Sequence, residues 1–463
     1  MKLYKTVLFI LSIFVMLGVL SWVFPQPECV VGGVALRFPS MDNMLGRDSS
    51  VQRQSTAEEM LTAAEKSLVM THDDSLAMAY QDSLAYYEKF FEESPARIHF
   101  PKGNVSYLFP FFEALGNADS VKLHIMHYGD SQIEGDRISA CLRDSFQSKF
   151  GGSGPGVLPL VQLIGTPTVR QTLSDSLTMY FAGGMMGDRA SHKRYGAMAQ
   201  MARIDRRDTL VFSAQVRSGS EFDEITLFAG HVDSALNVAV GNASRKFDAS
   251  DEPQNVTFSL GRKKKSVAMK LSGTGDIYGV ELGNGRGVSL SNVPLRGSDG
   301  TFFGRIDADA MKYMHEKLNT RLVLMEFGGN ALPAIKDSAD VDKYVGYFKS
   351  QVLYFRRVVP DAQVIVIGPA DMSVKLRGVM QTSPMLPYLV EKMEAVTLEA
   401  GGAFWNMFEV MGGSESMVAW VNHKPAWASS DYIHFTKKGS ERISGVLYET
   451  LMTYYNYKKF VQE

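Results

Sequence analysis

Residues 121–150 read VKLHIMHYGDSQIEGDRISACLRDSFQSKF, and the change of character inside this stretch decides the fold. Val121 to Tyr128 is rich in apolar and β-branched residues, which suits a buried strand. Gly129-Asp130-Ser131 interrupts it, and the residues beyond have the spacing of a helix. The reading is strand, tight turn, helix, with Ser131 at the carboxyl end of the strand and at the beginning of the helix. In open α/β sheets ligands bind at such ends, and a helix N-terminus favours developing negative charge. Ser131 is therefore placed as a nucleophile would be. The three-residue word by itself is weak evidence, because at average residue frequencies roughly one chain in ten of this length contains it by chance.

Other segments repeat the pattern of an apolar strand with a polar tip. RLVLMEF, residues 321–327, runs into Gly328-Gly329-Asn330, where the glycines let backbone approach a ligand and the Asn330 amide suits an oxyanion. An ordinary Gly-Asn turn would look the same in isolation. AQVIVIG, residues 362–368, ends at Pro369, and a fourth strand is expected near Ala403 to Val410 after a helix from about Met385 to Glu399. Strands alternating with helices predict a doubly wound parallel sheet. Near the C-terminus, SSDYIHFTKKG places Asp431 and His434 three residues apart, ahead of a helix starting around Lys437 or Gly439. One turn of chain then brings the carboxylate to one imidazole nitrogen and leaves the other free to face a serine. An Asp-x-x-His pair occurs by chance in about half of chains this long, so its location is what gives it weight.

Taken in order, these pieces resemble the SGNH (GDSL-like) hydrolase family: GDS after the first strand, a Gly-Asn element after a middle strand, DxxH before the last helix. The resemblance is nearest to the peptidoglycan and polysaccharide O-acetylesterase group. It implies Ser131 as nucleophile, with Asp431 and His434 completing a catalytic triad. It also implies an oxyanion hole from the Ser131 N–H, the Asn330 side chain and a glycine N–H, for which Gly297 is the choice and Gly300 the alternative. The sequence departs from the common pattern at Gln132, where leucine is frequent, and at Ala331, where an aspartate often follows the asparagine. Relatives of this group carry an inserted β-domain, and the interval between Ser131 and Asn330 is long. It holds DTLVFSAQV, EITLFAG, ALNVAV, NVTFSL and SVAMKLSG, apolar clusters between turn signals that suit a jelly-roll-like all-β insert. The expected organisation is an N-terminal anchor over 1–25 and linker with accessory helices over 26–100. Core would follow over 101–160, the insert over 161–278, and the rest of the core over 279–463.

The N-terminal segment is expected to span a membrane, with the short N-terminus in the cytoplasm. After Lys2 and Lys5, residues 7–24 (VLFILSIFVMLGVLSWVF) carry no charge, and as a helix would extend about 27 Å, close to a bilayer's hydrocarbon core. A cleaved signal peptide is the weaker reading, since its apolar stretch is usually about 7–15 residues with a small-residue cut site, and WVFPQPECV stands there instead. With the lysines ahead of the span and no basic residue until Arg37, the rest of the chain is expected outside a bacterial cytoplasmic membrane. Ser55 and Glu58 make a capping-box spacing, and Leu76, Tyr80, Ser83, Tyr87 and Phe91 recur along one helical face, read as a stalk or accessory helix.

Composition narrows the rest. Forty-eight Lys and Arg balance 50 Asp and Glu, so no basic field exists to draw in nucleic acid, and no nucleic-acid partner is expected. His124 and His127, an odd number apart on a strand, point to opposite faces, so neither a metal nor any other cofactor is expected. The two cysteines, Cys29 and Cys141, fall in segments of different character and give no support for a disulfide. The functional expectation is an extracytoplasmic serine acetylesterase acting on an O-acetylated glycan. Two alternatives stand beside it: an O-acetyltransferase working with a membrane-bound acyl-donor partner, and a non-catalytic glycan-binding or assembly protein.

Overall fold

The computed structural model describes residues 28–31, 34–37, 80–184 and 187–462. The expected membrane span, the Ser55 cap and the side chain of Cys29 lie outside the described residues; Cys141 is a free thiol. Glu28–Val31 and Val34–Arg37 form a small antiparallel pair.

A six-stranded sheet forms the core. In spatial order its strands are Gly287–Pro294, Lys122–Gly129, Thr320–Glu326, Gln363–Ile367, Ala403–Trp405 and Ile98–His99. The first five are parallel and the last is antiparallel. Along each central strand alternate residues serve opposite faces, as the period of two requires. Leu123, Ile125, Leu322, Leu324, Ile365 and Ile367 pack beneath helices Phe109–Gly116, Ser139–Phe150 and Lys437–Gln462. Met126, Tyr128, Val323, Met325, Val364 and Val366 pack beneath Ala308–Leu318, Ser338–Val358 and Leu386–Glu399. Both faces are covered, so these strands read as near-continuous apolar runs. The chain leaves Lys122–Gly129 for a neighbour on one side and later returns to the other, which makes the carboxyl end of that strand the switch point where a crevice opens.

Between Ser139–Phe150 and the Gly287–Pro294 strand lies an antiparallel sheet of nine strands, from Gly156–Leu158 to Ser266–Gly283. The long Ser266–Gly283 strand belongs to both halves of it. Its first half pairs with Gln200–Val216 and Val232–Val240, and its second with Phe222–Gly230 and Gly156–Leu158. Register shifts at Leu271/Gly273 and Ile277/Gly279 separate the halves. Such bulges bend a strand, letting one hydrogen-bonded sheet wrap around Phe212, Phe222, Ile225, Leu227, Phe247 and Leu271. The pairing Val280↔Leu158 carries the insert's hydrogen bonding beyond both expected limits, 161 and 278.

Two further expectations from the sequence do not hold, and a third is narrowed. The core does not begin near residue 101: Ile98 and His99 already pair with Trp405 and Phe404, in a strand too short to show a pattern. Of the two forms expected for the preceding segment, stalk or accessory helix, Tyr80–Glu93 takes the second: it is docked on this core, with the Phe91 ring stacked on Tyr454 at 4.8 Å between centroids and Tyr87 5.2 Å from Tyr457. The strand expected over Ala403 to Val410 stops at Trp405, because Asn406 caps a short helix, Met407–Met411, by accepting from the Glu409 N–H.

Candidate active site

Ser131 lies just past the end of the Lys122–Gly129 strand, as expected, but not at the beginning of a helix. The helix starts eight residues later at Ser139, after a 3-10 turn over Glu134–Asp136. Gly135 and Asp136 adopt φ of 70° and 62°, left-handed values that break a helix. Asp136 holds this conformation through a buried pair with Arg143, at 2.8 and 3.0 Å, and a 2.7 Å bond from Thr168. The helix dipole therefore does not point at Ser131 from close range. Arg137 fixes the serine instead, its guanidinium donating to the Ser131 carbonyl at 2.8 Å and to the Glu134 carbonyl at 2.7 Å.

The Ser131 Oγ is 2.8 Å from His434 Nε2, and His434 Nδ1 is 2.8 Å from Asp431 Oδ2. The other Asp431 oxygen accepts the backbone N–H groups of Ile433 and His434, at 2.9 and 3.0 Å. Burial works against the Asp431 charge, but the backbone and ring hydrogen bonds from His434 and the Ile433 N–H outweigh it and hold this carboxyl below its ordinary value. An ionised Asp431 keeps the Nδ1 hydrogen on its own side and leaves Nε2 to accept from the serine. Tyr432, between the two residues, sits at φ 59°, a conformation a bulky side chain rarely takes and one that lets three residues close the Asp–His bond.

In the sequence Gln132 registers only as a departure from leucine. In the structure its Nε2 donates to the Ile433 carbonyl and its Oε1 accepts the Phe435 N–H, both at 3.0 Å, so it ties the serine turn to the His434 loop. Nothing in sequence spacing links positions 301 and 303 residues apart.

Asn330 is the second residue of the 3-10 segment Gly329–Ala334, and its Nδ2 donates to Asp130 Oδ2 at 3.0 Å and to the Ser298 carbonyl at 3.2 Å. Asp130 also accepts the Gln132 N–H at 2.8 Å. Burial pushes the Asp130 carboxyl up to about 7; the Gln132 N–H, Arg137 and Asn330 oppose the rise and the neighbouring Glu326 adds to it. Gly328 takes φ of 119° and has no room for a side chain: a Cβ would meet the Met393 sulfur at 2.8 Å. Its use is close packing rather than the approach of backbone to a ligand.

A cleft of roughly 380 Å³ is lined by Asp130, Ser131, Asn330, Met372, Ile433 and His434 among others. Gly297, at φ 71°, and Gly300 lie on the loop after Gly287–Pro294 and are not part of that lining. Gly297 adjoins Ser298, the residue whose carbonyl receives Asn330, and Gly300 packs against Phe327. His124 and His127 do face opposite sides of the sheet, bonded to Ser291 and to Glu326 respectively. A second space of about 880 Å³, lined by the Glu134–Asp136 turn and insert residues such as Leu158, Leu163 and Phe181, contains none of the triad.

Comparison with known proteins places this arrangement. No family model and no curated protein matches the sequence. Among solved structures, a peptidoglycan O-acetylesterase matches at a TM-score of 0.63, with 19% identity over 76% of this chain and 98% of its own. That likeness is one of fold. A family two carbohydrate esterase from Cellvibrio japonicus matches with 9% identity over 63% of this chain and 99% of its own, at a TM-score of 0.26. Within this fold, Ser131, Asp431 and His434 come from the two segments that sequence spacing singled out, and Asn330 from the third.

Proposed function

We propose that this chain is a serine esterase that removes O-acetyl groups from a cell-wall or exported polysaccharide. The observation that carries the reading is the hydrogen-bonded line Ser131–His434–Asp431, 2.8 Å at each step, opening on a cleft. The substrate class is taken from the peptidoglycan O-acetylesterase whose fold it shares. Residues 7–24 would anchor the domain on the outer side of the cytoplasmic membrane.

In this reading Ser131 Oγ attacks the acetyl carbonyl while its proton passes to His434 Nε2, and Asp431 supports the imidazolium that forms. The sugar hydroxyl leaves with that proton, and water, deprotonated by His434 in turn, releases acetate from the serine. Donors for the tetrahedral oxyanion are the Ser131 N–H and Asn330 Nδ2, both on the cleft; the Gly297 N–H, which the family resemblance would add, lies on a loop outside the cleft lining and would have to turn toward it. The amide hydrogens of Asn330 are directed at Asp130 and Ser298, so it serves the oxyanion by sharing one of those bonds.

The test is turnover of an activated aryl acetate by the full chain and by Ser131→Ala, followed by acetate release from O-acetylated peptidoglycan. A loss of about 10³-fold or more in kcat is expected. Equal rates for the two proteins would remove the esterase reading.

A further inference from the structure

Behind the serine turn lies a chain of hydrogen bonds, part-buried at Asn292 and fully buried at His127, that the acyl-transfer steps do not use. Asn292 Nδ2 donates to the Ile133 carbonyl at 3.1 Å, an acceptor that fixes which way the amide faces. The Asn292 Oδ1 therefore faces Ser139, whose hydroxyl donates to it at 2.8 Å. Ser139 has one hydrogen and has now used it, so at its 2.8 Å contact with His127 Nδ1 it can only accept. His127 thus carries a hydrogen on Nδ1. Its other nitrogen, Nε2, stands 3.2 Å from Glu326 Oε2. A neutral imidazole with Nδ1–H presents a lone pair there, and a carboxylate presents another. Two acceptors do not hold that distance in a site where the histidine is 0% and the glutamate 3% exposed.

We infer that the His127–Glu326 pair holds one additional proton between its facing atoms, making the wall behind Asp130 and Asn330 neutral overall, and that both residues act as positioning residues for the oxyanion side of the cleft. The net charge is the same whether the proton rests on nitrogen, as imidazolium with carboxylate, or on oxygen, as imidazole with carboxylic acid. The remaining Glu326 oxygen, Oε1, is buried without a hydrogen-bond partner, and the residue lines the cleft alongside Asp130 and Ser131. A bare carboxylate here would stand beside Asp130 as a second buried negative charge, and like charges sharing a site force one to take up a proton. Glu326, Arg137 and Tyr344 are the ionisable groups that act on or feel Asp130 most directly, while Asn330 bonds to it. With the pair neutral, Asp130 is spared a neighbouring charge that would add to the rise burial already causes in its carboxyl, and so holds its charge and the bond from Asn330 over a wider pH range. The functional consequence rests on the esterase reading, but the proton does not.

The experiment has two arms. In the full chain labelled with ¹⁵N-histidine, ring-nitrogen shifts of His127, assigned by their loss in His127→Gln, report the proton without any turnover. Nδ1 protonated, with Nε2 protonated or receiving a proton from Glu326, is expected. In Glu326→Gln, Nε2 becomes a neutral acceptor of the new amide. A His127 ring protonated on Nε2 alone, with Nδ1 bare, would overturn the inference. In the second arm, kcat against pH is measured for His127→Leu and for His127→Leu with Glu326→Gln, using folded protein as judged by circular dichroism. Leaving Glu326 unneutralised should move the acid-side fall of kcat upward by about half a pH unit or more, and the second substitution should move it back. An unmoved profile in a folded His127→Leu overturns the positioning role. If that variant does not fold, the nitrogen shifts of the wild type and of Glu326→Gln decide the proton. Inactivity of every protein on acetyl esters would count against the esterase reading and leave the ring-nitrogen result standing.

Discussion

Gln132 follows the nucleophile directly and uses its amide at both ends, holding the Ile433 carbonyl and the Phe435 N–H on either side of His434. The serine–imidazole distance is therefore set by this clamp together with the Asp431–His434 bond. Leucine, frequent at this place in the resembled family, can do neither job and would leave the buried Phe435 N–H unpaired, at a cost of about 1–3 kcal/mol. Gln132→Leu is predicted to lower kcat on an aryl acetate about tenfold or more with little change in KM, because positioning errors of an ångström act mainly on the chemical step. It should also lower the melting temperature; an unchanged kcat would mean that the loop is held without the clamp. Ser131, Asp431 and His434 were legible because each lies in a short word next to a strand or helix boundary. Gln132, Asp130 and the Asn292–Ser139–His127 chain were not, because their partners lie far along the chain and only folding joins them.

The strand ends decide where those words meet. Pattern alone located the Lys122–Gly129, Thr320–Glu326 and Gln363–Ile367 strands to within a residue or two, since strands buried on both faces are unbroken apolar runs. The Gly287–Pro294 strand, at the sheet edge beside Lys122–Gly129, fell within the expected core but was not read as a strand, and the two-residue strand Ile98–His99 carries no period. Helix starts were less legible than strands, because the left-handed Gly135 and Asp136 postpone the helix after Ser131 through contacts with Arg143 and Thr168 that have no local signature. At the end of Thr320–Glu326, Gly328 lets the chain turn into the Asn330 segment against Met393 and Pro369. Gly328→Ala combines a left-handed φ with a Cβ 2.8 Å from the Met393 sulfur and 3.2 Å from Pro369. It should cost on the order of 2 kcal/mol or more in denaturant unfolding, the sum of backbone strain and overpacking. A loss below half of that would show that Met393 swings aside.

At the scale of the whole molecule, the insert is fastened to the core by charge as well as by packing. Glu281, on the Ser266–Gly283 strand, reaches Lys122 Nζ at 2.8 Å on the first residue of the strand that ends at the nucleophile. The same carboxylate accepts from Ser289 at 3.3 Å and lies 3.7 Å from His124 Nδ1. Burial opposes the Glu281 charge, but the His124 ring and the Lys122 ammonium outweigh it and hold the carboxyl down at about 2. Burial in turn keeps His124 below its ordinary value, so the lysine is the charge that balances Glu281 at neutral pH. A carboxyl whose value is lower in the folded chain than in the unfolded one stabilises the fold above its unfolded value, about 4.5, and that stabilisation fades as pH falls toward 2. The gap corresponds to roughly 3 kcal/mol at neutral pH. Glu281→Gln removes that contribution and leaves the Lys122 ammonium, 16% exposed, without its partner. The wild type should therefore exceed Glu281→Gln in stability by a few kcal/mol at pH 7 and by much less at pH 3, as measured by denaturant midpoints at both values. Hydrogen exchange should locate the weakening in strands Gly156–Leu158 and Ser266–Gly283, with the central core strands less affected. A difference that stays constant between pH 7 and pH 3 would show that packing at Glu281, rather than its charge, joins insert to core.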